Sequence, residues 1–453
     1  MKQRSRRTGF DRRTFILGAA GAAGATAIGG GRSVGASGLW LPRSAPPSGG
    51  LFGGGGGDGT IRIGFVSPQT GSLAAFGAAD TFAVDGIAAL VADGLLVGGS
   101  SYGVEIFVED SESSTDTAAA KADELINEAG VNLVVVGNTP ETTNPVADTC
   151  EALGMPCISS LAPWQPWLLG RGGAPGGDPS FEWTYHFFWG LEDVIATFLA
   201  MWDRVDTNMQ VGGLFPNDAD GNAWGDPENG FGPPLAEAGY TLHDPGRYEN
   251  LNQDFTAQIN AFKDAEAEII TGVVIPPDFP TFWQQARQQG YVPKMASIGK
   301  ALLFPESIEA IGAEGVGLSS EVWWSPSHPY SSSLTGQTCA ELATAYTEAT
   351  GAQWTQPIGF AHALFEVALT TLAAAGAPEP DAIIEAVSTM ALDTIVGHVE
   401  WGLEDNPSPN VAKTKLVGGQ WREADTPTGF DLIIVDNTGN PDVPTAGEVE
   451  PIV

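Results

Sequence analysis

The feature that most constrains the fold of this chain is a strand and helix rhythm that begins at Thr60. Short apolar runs, each the length of a buried strand, alternate with segments in which apolar residues recur at helical spacing. The strand-like runs are IRIGFVSP (61–68), VEIFVEDS (104–111), NLVVVG (132–137) and PCISS (156–160). Such alternation at short intervals predicts a parallel sheet with helices on both faces and right-handed crossovers.

The same rhythm starts again after a stretch rich in proline and glycine at 171–180. Its strand-like runs include QVGGLFP (210–216), EIITGVV (268–274) and GVGLSSEVWW (315–324). Three helical segments follow without intervening strands, at about 333–349, 357–375 and 379–390, before strand patterns return over 393–436. We therefore predict an α/β protein of two doubly wound lobes. The late helices must complete one lobe, so the chain crosses between lobes more than once, with a cleft at the carboxyl ends of both sheets.

The first 37 residues are typical of an export signal. A pair of arginines, Arg12 and Arg13, precedes a weakly apolar, glycine-rich run, and a small-residue cleavage site follows at 34–36. The run is too short and too rich in glycine for a bilayer span; the alternative is a plain basic tail. We predict export by the twin-arginine route. No cysteine occurs before Cys150, so a lipid-modified cysteine at the cleavage site is not expected.

Two further segments are predicted to lack a fixed structure. Residues 38–58 are rich in proline and glycine and end in FGGGGGDG. A glycine run can form a phosphate loop, but this one precedes a strand and lacks a following Gly-Lys-Ser/Thr, so a flexible tether is expected. Residues 441–453 are predicted to be a flexible tail.

The charge of the chain excludes some partners. Without residues 1–37, 13 basic residues remain against 54 acidic ones, a formal charge near −41. Such a surface repels nucleic acid and anionic lipid. With 43% hydrophobic residues the chain is globular, so the charge is interpreted as salt adaptation by hydrated carboxylates. In so acidic a chain, a single carboxylate carries little information about function.

No catalytic or metal-binding pattern is present in the sequence. The five histidines are scattered, without a His-x-x-x-His pair or neighbouring thiolates, and no G-x-S-x-G nucleophile turn occurs. We therefore expect no catalytic residue, no metal and no cofactor. The histidines are His186, His243, His328, His362 and His398.

Four segments, in order along the chain, carry a resemblance to a known family. IGFVSPQTGSLAAFG (63–77), VEIFVEDSESSTDTAAAKADELI (104–126), VVVGNTPETTNPVADTCEALGMPCISSLAP (134–163) and LDTIVGHVEW (392–401) resemble the branched-chain amino-acid binding proteins of the type I periplasmic binding fold. The similarity runs from about residue 60 to 436, nearly the whole chain after the signal.

The resemblance implies a hinged receptor that closes over a small molecule and is recognised by the membrane permease of an ABC importer. It implies a monomer in the periplasm or at the outer face of the membrane. We assign residues 59–186 and 326–390 to lobe 1, and residues 187–325 and 391–440 to lobe 2. Two alternatives remain open: a ligand-sensing domain without transport, and a secreted hydrolase on an α/β scaffold.

The resemblance also implies the positions of ligand-binding residues. Phe76 falls where an aromatic residue guards the cleft, and Trp224 falls where the family places a stacking aromatic on the second lobe. Pro163 and Trp164 stand where the family has a threonine, which weakens the case for a standard amino-acid clamp. From sequence alone, Trp224→Ala is expected to weaken binding without unfolding the protein. The remaining candidates in the turns after strands three and four are Thr139, Thr142, Thr143, Ser159 and Ser160.

Lys300 falls near the carboxylate with which the family binds the ligand's ammonium group. An ammonium about 4 Å from Lys300 would feel roughly 4 kcal/mol of repulsion at an effective dielectric of ~20. If Lys300 lines the cleft, amino acids are disfavoured, and a small organic carboxylate is favoured. Tryptophans in turns suit an aromatic carboxylate. The alternatives are an ordinary solvated lysine and a branched-chain amino-acid ligand.

Cys150 and Cys157 lie at a predicted helix end and at the start of the next strand. In an exported protein they could form a disulfide across this corner; two buried free thiols are the alternative. Cys339 is left over and is expected to pack in a helix.

Overall fold

The structure is a computed structural model that describes residues 51–53 and 57–452. The predicted signal segment and most of the predicted tether therefore lie outside the described residues. The described residues form sixteen strands. In chain order the strands are β1 Thr60–Ser67, β2 Leu95–Val97, β3 Ser100–Asp110, β4 Leu133–Val136, β5 Cys157–Ser160, β6 Thr184–Phe187, β7 Gln210–Leu214, β8 Thr241–His243, β9 Ile269–Val274, β10 Met295–Lys300, β11 Ser319–Val322, β12 Ala391–Thr394, β13 Gly397–Glu400, β14 Val411–Ala412, β15 Val417–Glu423 and β16 Phe430–Asp436.

The same residues form fourteen α-helices. They are α1 Ala74–Gly77, α2 Asp80–Leu90, α3 Thr115–Glu124, α4 Pro140–Leu153, α5 Trp164–Leu168, α6 Leu191–Trp202, α7 Ala219–Trp224, α8 Gly232–Glu237, α9 Thr256–Asp264, α10 Asp278–Gln288, α11 Pro305–Ile311, α12 Cys339–Thr350, α13 Pro357–Ala375 and α14 Pro380–Ser388. A π-helical turn, Leu125–Ala129, extends α3, and 3₁₀ turns occupy Ala301–Leu303 and Gly312–Gly315.

The first lobe is built on a seven-stranded sheet in the order β14-β6-β5-β4-β1-β3-β2. All neighbours are parallel except β2, which runs antiparallel to β3. The central strands are apolar on both sides because helices cover both faces, and all four residues of β4 are buried. The doubly wound parallel sheet predicted from the sequence is confirmed.

The second lobe has its own seven-stranded sheet in the order β16-β15-β11-β10-β9-β7-β8. The strands from β7 to β11 are parallel, and β15 and β16 are added antiparallel at one edge. Strands β9 and β10 are buried throughout. In both lobes the turns at the carboxyl ends of the parallel strands face the other lobe, as expected for a doubly wound fold with its site at that edge.

The chain passes between the lobes three times, after β6, after β11 and after β14. From the sequence, we placed residues 391–440 in lobe 2. In the structure, β14 pairs with β6 of the first sheet, with Val411 opposite His186. The hairpin of β12 and β13 also packs near α13, a helix of the first lobe. The passage into lobe 2 therefore comes at about residue 413. Strand β14 has only two residues, too few for a sequence pattern to reveal its partner.

The crossovers are joined by an ionic cluster at the start of α6. Lys413, just after β14, places its Nζ 2.9 Å from an oxygen of Asp193 and also contacts Glu192. The indole Nε1 of Trp164 donates to Glu192 at 3.0 Å. These contacts tie the third crossover and the first lobe to the first helix of the second lobe, so this cluster lies in the hinge.

Both segments predicted to be flexible include ordered residues. At the N-terminal side, Phe52 forms a β-bridge with Leu95 of β2. At the other end, Val443 is fully buried, and the N–H of Ile452 donates to the carbonyl of Lys294 at 2.8 Å. The apolar side chains of residues 441–452 explain the difference, because they complete the core of the second lobe.

Among the described residues, one helix is long and apolar enough to cross a membrane by length and composition alone. This helix, α13, is also the central helix of the first lobe, with 78% of its apolar window buried inside the protein. It packs on α2 and on the strands of the first sheet.

Candidate functional site

A cleft between the two lobes lies at the carboxyl ends of the parallel strands. It encloses about 340 Å³ of space between atoms, part of it open to solvent. Residues from both sheets and from the crossover after β6 form what we call the cleft wall. The cleft wall consists of Phe76, Thr139, Leu161, Pro163, Phe188, Trp189, Asp220, Trp224, Val273, Lys300, Leu303, Glu321 and Trp323.

On the first lobe, the cleft wall is held by strained turns. Asn138 and Thr139, which follow β4, have φ values of 73° and 72°, and Leu161, which follows β5, has a φ of 64°. Residues with a Cβ atom rarely adopt positive φ values, and the residues that do so concentrate at functional sites. The strain positions Thr139 and Leu161 at the cleft, where the hydroxyl of Thr139 is buried without a hydrogen-bond partner among the described residues.

A buried aspartate supports these turns from behind. Asp80, on α2, accepts hydrogen bonds from the Ser67 hydroxyl at 2.5 Å and from the Asn138 side-chain amide at 2.9 Å. These contacts join the carboxyl end of β1 to the turn after β4. Burial raises the pKa of Asp80 to about 7, although both hydrogen bonds lower it.

On the second lobe, the cleft contains a lysine surrounded by carboxylates. Lys300 is only 5% exposed, and its Nζ lies 2.8 Å from Asp220, 3.4 Å from Asp218 and 3.8 Å from Glu141. The two aspartates belong to the start of α7, whereas Glu141 lies in the first turn of α4 on the other lobe. The Lys300–Glu141 contact therefore bridges the lobes. The backbone of Lys300 is strained as well, with φ 60° and ψ −75°.

The charge state of this cluster follows from burial and proximity. Burial lowers the pKa of Lys300, but the three carboxylates outweigh it and hold that pKa well above its ordinary value. Burial raises the pKa of Asp220 to about 7; Lys300 opposes this shift, while Glu141 and Asp218 add to it. The cluster has three carboxyl groups for one ammonium group, so its excess charge is negative.

This geometry corrects the argument that Lys300 would repel a ligand's ammonium group. Lys300 does line the cleft, but its charge is neutralised by three acidic neighbours. In the sequence Lys300 stands as an isolated charge, because residues 141, 218 and 220 are far from it along the chain. An amino-acid ligand is therefore not disfavoured by Lys300.

A second acidic side chain, that of Glu321, lies next to this cluster. Glu321 is at the carboxyl end of β11, 2% exposed, and accepts a hydrogen bond from the Ser320 hydroxyl at 3.0 Å. A Cβ added at Gly299 would lie 3.0 Å from the Trp224 ring and 3.2 Å from Glu321 Oε1. Glycine at this position thus leaves space for both side chains over β10. Burial raises the pKa of Glu321 to about 7, and the negative charge of Asp220 raises it further.

Aromatic rings supply most of the remaining cleft wall. Phe188 lies 4.8 Å from Trp189 and 5.3 Å from Trp323, measured between ring centroids. Phe76 of the first lobe meets Phe304 of the second edge-to-face at 4.8 Å. The indole N–H groups of Trp189, Trp224 and Trp323 have no hydrogen-bond partner in the described part of the chain. The cleft therefore presents flat apolar surfaces together with unused donors.

Some of the residues predicted from sequence lie together at the cleft, and others do not. Phe76, Thr139, Trp224 and Lys300 belong to the cleft wall. Of the other five, Thr143 donates to the Thr139 carbonyl at 3.0 Å, Ser159 contacts His186 at 2.9 Å, and Trp164 lies in the hinge. Ser160 donates to the Phe187 carbonyl, whereas the buried hydroxyl of Thr142 has no hydrogen-bond partner among the described residues. The predicted residues outside the cleft wall are Thr142, Thr143, Ser159, Ser160 and Trp164.

Sequence reasoning missed the acidic half of the site. Asp220 and Glu321 were not singled out, since the chain has 55 acidic residues. A usable signal for Glu321 was its place in the apolar strand segment GVGLSSEVWW, where an ionised side chain is costly to bury. No comparable signal marked Asp220, which lies in the polar turn NDADGNAW.

The two cysteines at the corner of α4 and β5 are side by side, but as thiols. Cys150 and Cys157 are both free and buried in an apolar cluster with Val134 and Val146. Burial raises the pKa of Cys150 well above its ordinary value, and the neighbouring Cys157 adds to the shift. Here the two residues pack as small apolar side chains, in place of the predicted disulfide.

Two doubly wound lobes, three crossovers and a cleft at the facing strand ends define the class of two-lobed solute-binding proteins. The particular family is shown by sequence: a family model described as periplasmic binding protein matches residues 60–416. The chain belongs to this family. Its members are extracytoplasmic receptors for solutes.

Solved structures show the same fold at low sequence identity. A leucine-binding protein of Thermotoga maritima has a TM-score of 0.66 at 19% identity, covering 83% of this chain and 99% of its own. A 4-hydroxybenzoate-bound ABC solute-binding protein of R. palustris has a TM-score of 0.66 at 17% identity, covering 84% and 98%. An isoleucine-bound branched-chain amino-acid binding protein of Streptococcus pneumoniae has a TM-score of 0.64 at 18% identity, covering 83% and 99%. A comparison with curated protein sequences gave no match.

Proposed function

We propose that this protein is the extracytoplasmic receptor of an ABC importer and that it closes over a small organic carboxylate with an aromatic ring. The observation that carries this ligand class is the set of flat rings around the cleft, Phe76, Phe188, Trp189, Trp224 and Trp323. Rings of this kind suit an unsaturated, planar solute. Similar folds bind 4-hydroxybenzoate and 3,4-dihydroxybenzoic acid in two solved structures.

The role of receptor, rather than enzyme, is supported by the kind of groups in the cleft. In the cleft wall, the ammonium group of Lys300 is paired with Asp220, and the Thr139 hydroxyl has no hydrogen-bond partner among the described residues that could act as its base, so neither is arranged as an activated nucleophile. Among the described residues, no group of acidic, histidine or cysteine side chains could hold a metal ion. We propose binding and delivery to a membrane permease, after export by the twin-arginine route.

A second candidate ligand is an amino acid of the branched-chain type. Asp220 and Glu321 favour it, because ionised carboxylates on the second lobe could hold an ammonium group. A sensing domain without transport is the alternative role. Genes for a permease and an ATPase beside this one would distinguish transport from sensing.

Isothermal titration separates the two ligand classes. We expect benzoate or 4-hydroxybenzoate to bind at micromolar concentration or tighter, about −8 kcal/mol or better, and leucine and isoleucine to bind at least tenfold more weakly. The reason is that the ring of an aromatic acid contacts the indoles over a larger flat surface than the side chain of leucine or isoleucine does. Tight binding of leucine, with no heat from the aromatic acids, would instead establish the amino-acid receptor.

A further inference from the structure

We propose that Glu321 contacts the ligand as a neutral carboxylic acid, donating its proton in a hydrogen bond to the solute's carboxylate. One proton then enters the cleft with each bound anion. This inference rests on the proposed function and explains how a negatively charged solute can bind in an acidic cleft. In this proposal, Glu321 determines whether the cleft binds a solute's carboxylate or a solute's ammonium group.

A carboxylate can bind in this cleft only with a proton, because acidic groups already outnumber the single ammonium group there. Four carboxyl groups, those of Glu141, Asp218, Asp220 and Glu321, line the cleft or contact Lys300, and Lys300 is the one cationic side chain in the cleft wall. Lys300 is already engaged by three of the four. A carboxylate solute would add a fifth negative group to a site with a single positive charge.

The position of the proton follows from the partners of each group. Asp220 has its ammonium partner 2.8 Å away, which favours its ionised form. Glu321 has no cationic partner among the described residues: its polar neighbours are Asp220 from α7 and the Ser320 hydroxyl, and Lys300, which shares the cleft wall, is already paired with Asp220. Burial of an unpaired carboxylate is costly, so Glu321 is the group that most readily holds a proton.

A second observation points independently to a ligand with several acceptor atoms. The hydroxyl of Thr139 and the indole N–H groups of Trp189, Trp224 and Trp323 are buried and unpartnered within the described residues, and each of these side chains is 3% exposed or less. Buried donors of this kind are normally satisfied. A carboxylate offers two oxygens with about four lone-pair positions, so it can accept from Glu321 and from up to three of these donors.

Binding a carboxylate while Glu321 is ionised would carry a large penalty in affinity. An ionised Glu321 about 4 Å from the solute's carboxylate would weaken binding on the order of a thousandfold. Because the pKa of Glu321 is about 7 before any ligand binds, taking up the proton near neutral pH costs little affinity. Proton uptake is therefore the preferred route to an anion-bound cleft.

The test is titration calorimetry of the whole exported protein with 4-hydroxybenzoate or benzoate, in phosphate and in Tris at the same pH. These buffers differ in ionisation enthalpy, so the difference in binding heat gives the number of protons taken up. We expect close to one proton per ligand at pH 8. Because the complex holds more protons than the free protein, affinity falls by up to about tenfold per pH unit above pH 7.

A conservative substitution at Glu321 identifies the group. Glu321→Gln keeps the shape and a donor but cannot ionise, so we expect proton uptake to vanish and the affinity at pH 8.5 to exceed that of the unmodified protein by about tenfold or more. Glu366→Gln is the matched control. Glu366 is fully buried on α13 outside the cleft wall, and burial raises its pKa to about 7 as well. We expect this control to retain proton uptake on binding.

A result that contradicts the role of Glu321 can be distinguished from one that contradicts the proposed ligand class. A carboxylate that binds the unmodified protein without proton uptake, or more tightly as the pH rises, would overturn the role of Glu321 but leave the carboxylate receptor intact. Binding of no carboxylate between pH 5.5 and 8.5 would overturn the proposed ligand class and this inference together. The two-buffer measurement needs no variant, so its result stands even if Glu321→Gln fails to fold.

Discussion

Replacing Lys300 with methionine is expected to lower the free energy of unfolding by about 3–5 kcal/mol at pH 8, as found when one partner of a buried ion pair is removed. The substitution leaves Asp218, Asp220 and Glu141 close together without their shared cation. Chemical denaturation of the ligand-free protein measures the effect.

The pH dependence of this loss has a defined sign. Without Lys300, the pKa of Asp220, which burial already raises to about 7, rises further above its unfolded value, so the folded protein binds a proton there more tightly than the unfolded chain does. The destabilisation is then largest above about pH 7, and it shrinks as the pH falls and Asp220 becomes neutral. Denaturation of the Lys300→Met variant at pH 5 should therefore recover much of the stability lost at pH 8.

A second lysine in the same lobe serves as the control. Lys294 forms an ion pair with Glu268 at 2.9 Å, but its side chain is 43% exposed. We expect Lys294→Met to cost less than about 1 kcal/mol at either pH, as is typical of exposed ion pairs. If the two variants lost similar stability at pH 8, the cluster around Lys300 would not be the buried charged unit described here.

Replacing Trp224 with alanine is expected to abolish tight ligand binding and to lower the free energy of unfolding by about 3–5 kcal/mol. The ring is 1% exposed, stacks on Phe231 at 4.8 Å and lies near Phe198. From the sequence alone, weaker binding without unfolding was expected. The structure shows that one face of the ring belongs to the core of the second lobe, so truncation also leaves a cavity.

Trp283 provides a control of equal size and burial. It is 1% exposed, stacks on Phe279 at 5.8 Å and lies in the second lobe outside the cleft wall. We expect Trp283→Ala to cost similar stability while keeping the affinity of the folded protein. Both variants should be titrated at a temperature at which they are folded. Unchanged affinity in Trp224→Ala would remove this residue from the ligand site.

The sequence was a good guide to the sheets because their strands are marked by local patterns. Runs such as LVVV in β4 and IITGVV in β9 are buried on both faces and read as continuous apolar segments. The pairing of β14 with β6 could not be predicted in this way. Two residues carry no periodicity, and their place in the first sheet is set by contacts with a strand more than 200 residues earlier.

The candidate site could be predicted only in part, for a related reason. Phe76, Thr139, Trp224 and Lys300 were assigned to the cleft by resemblance to the branched-chain amino-acid binding proteins, and all four lie in the cleft wall. The charge of the cleft was not predictable, because the partners of Lys300 come from segments near residues 141 and 220 that only the folded chain brings together. Whether a strand residue such as Ser159 faces the cleft also depends on contacts within the sheet.

Small-angle X-ray scattering tests most directly whether the two lobes close over the solute. In the structure the lobes already meet through Lys300 and Glu141 and through Phe76 and Phe304. We predict that saturating ligand lowers the radius of gyration and brings the scattering curve into agreement with this closed form, whereas the ligand-free protein scatters as a more extended particle. A ligand that binds by calorimetry but leaves the scattering curve unchanged would contradict the account.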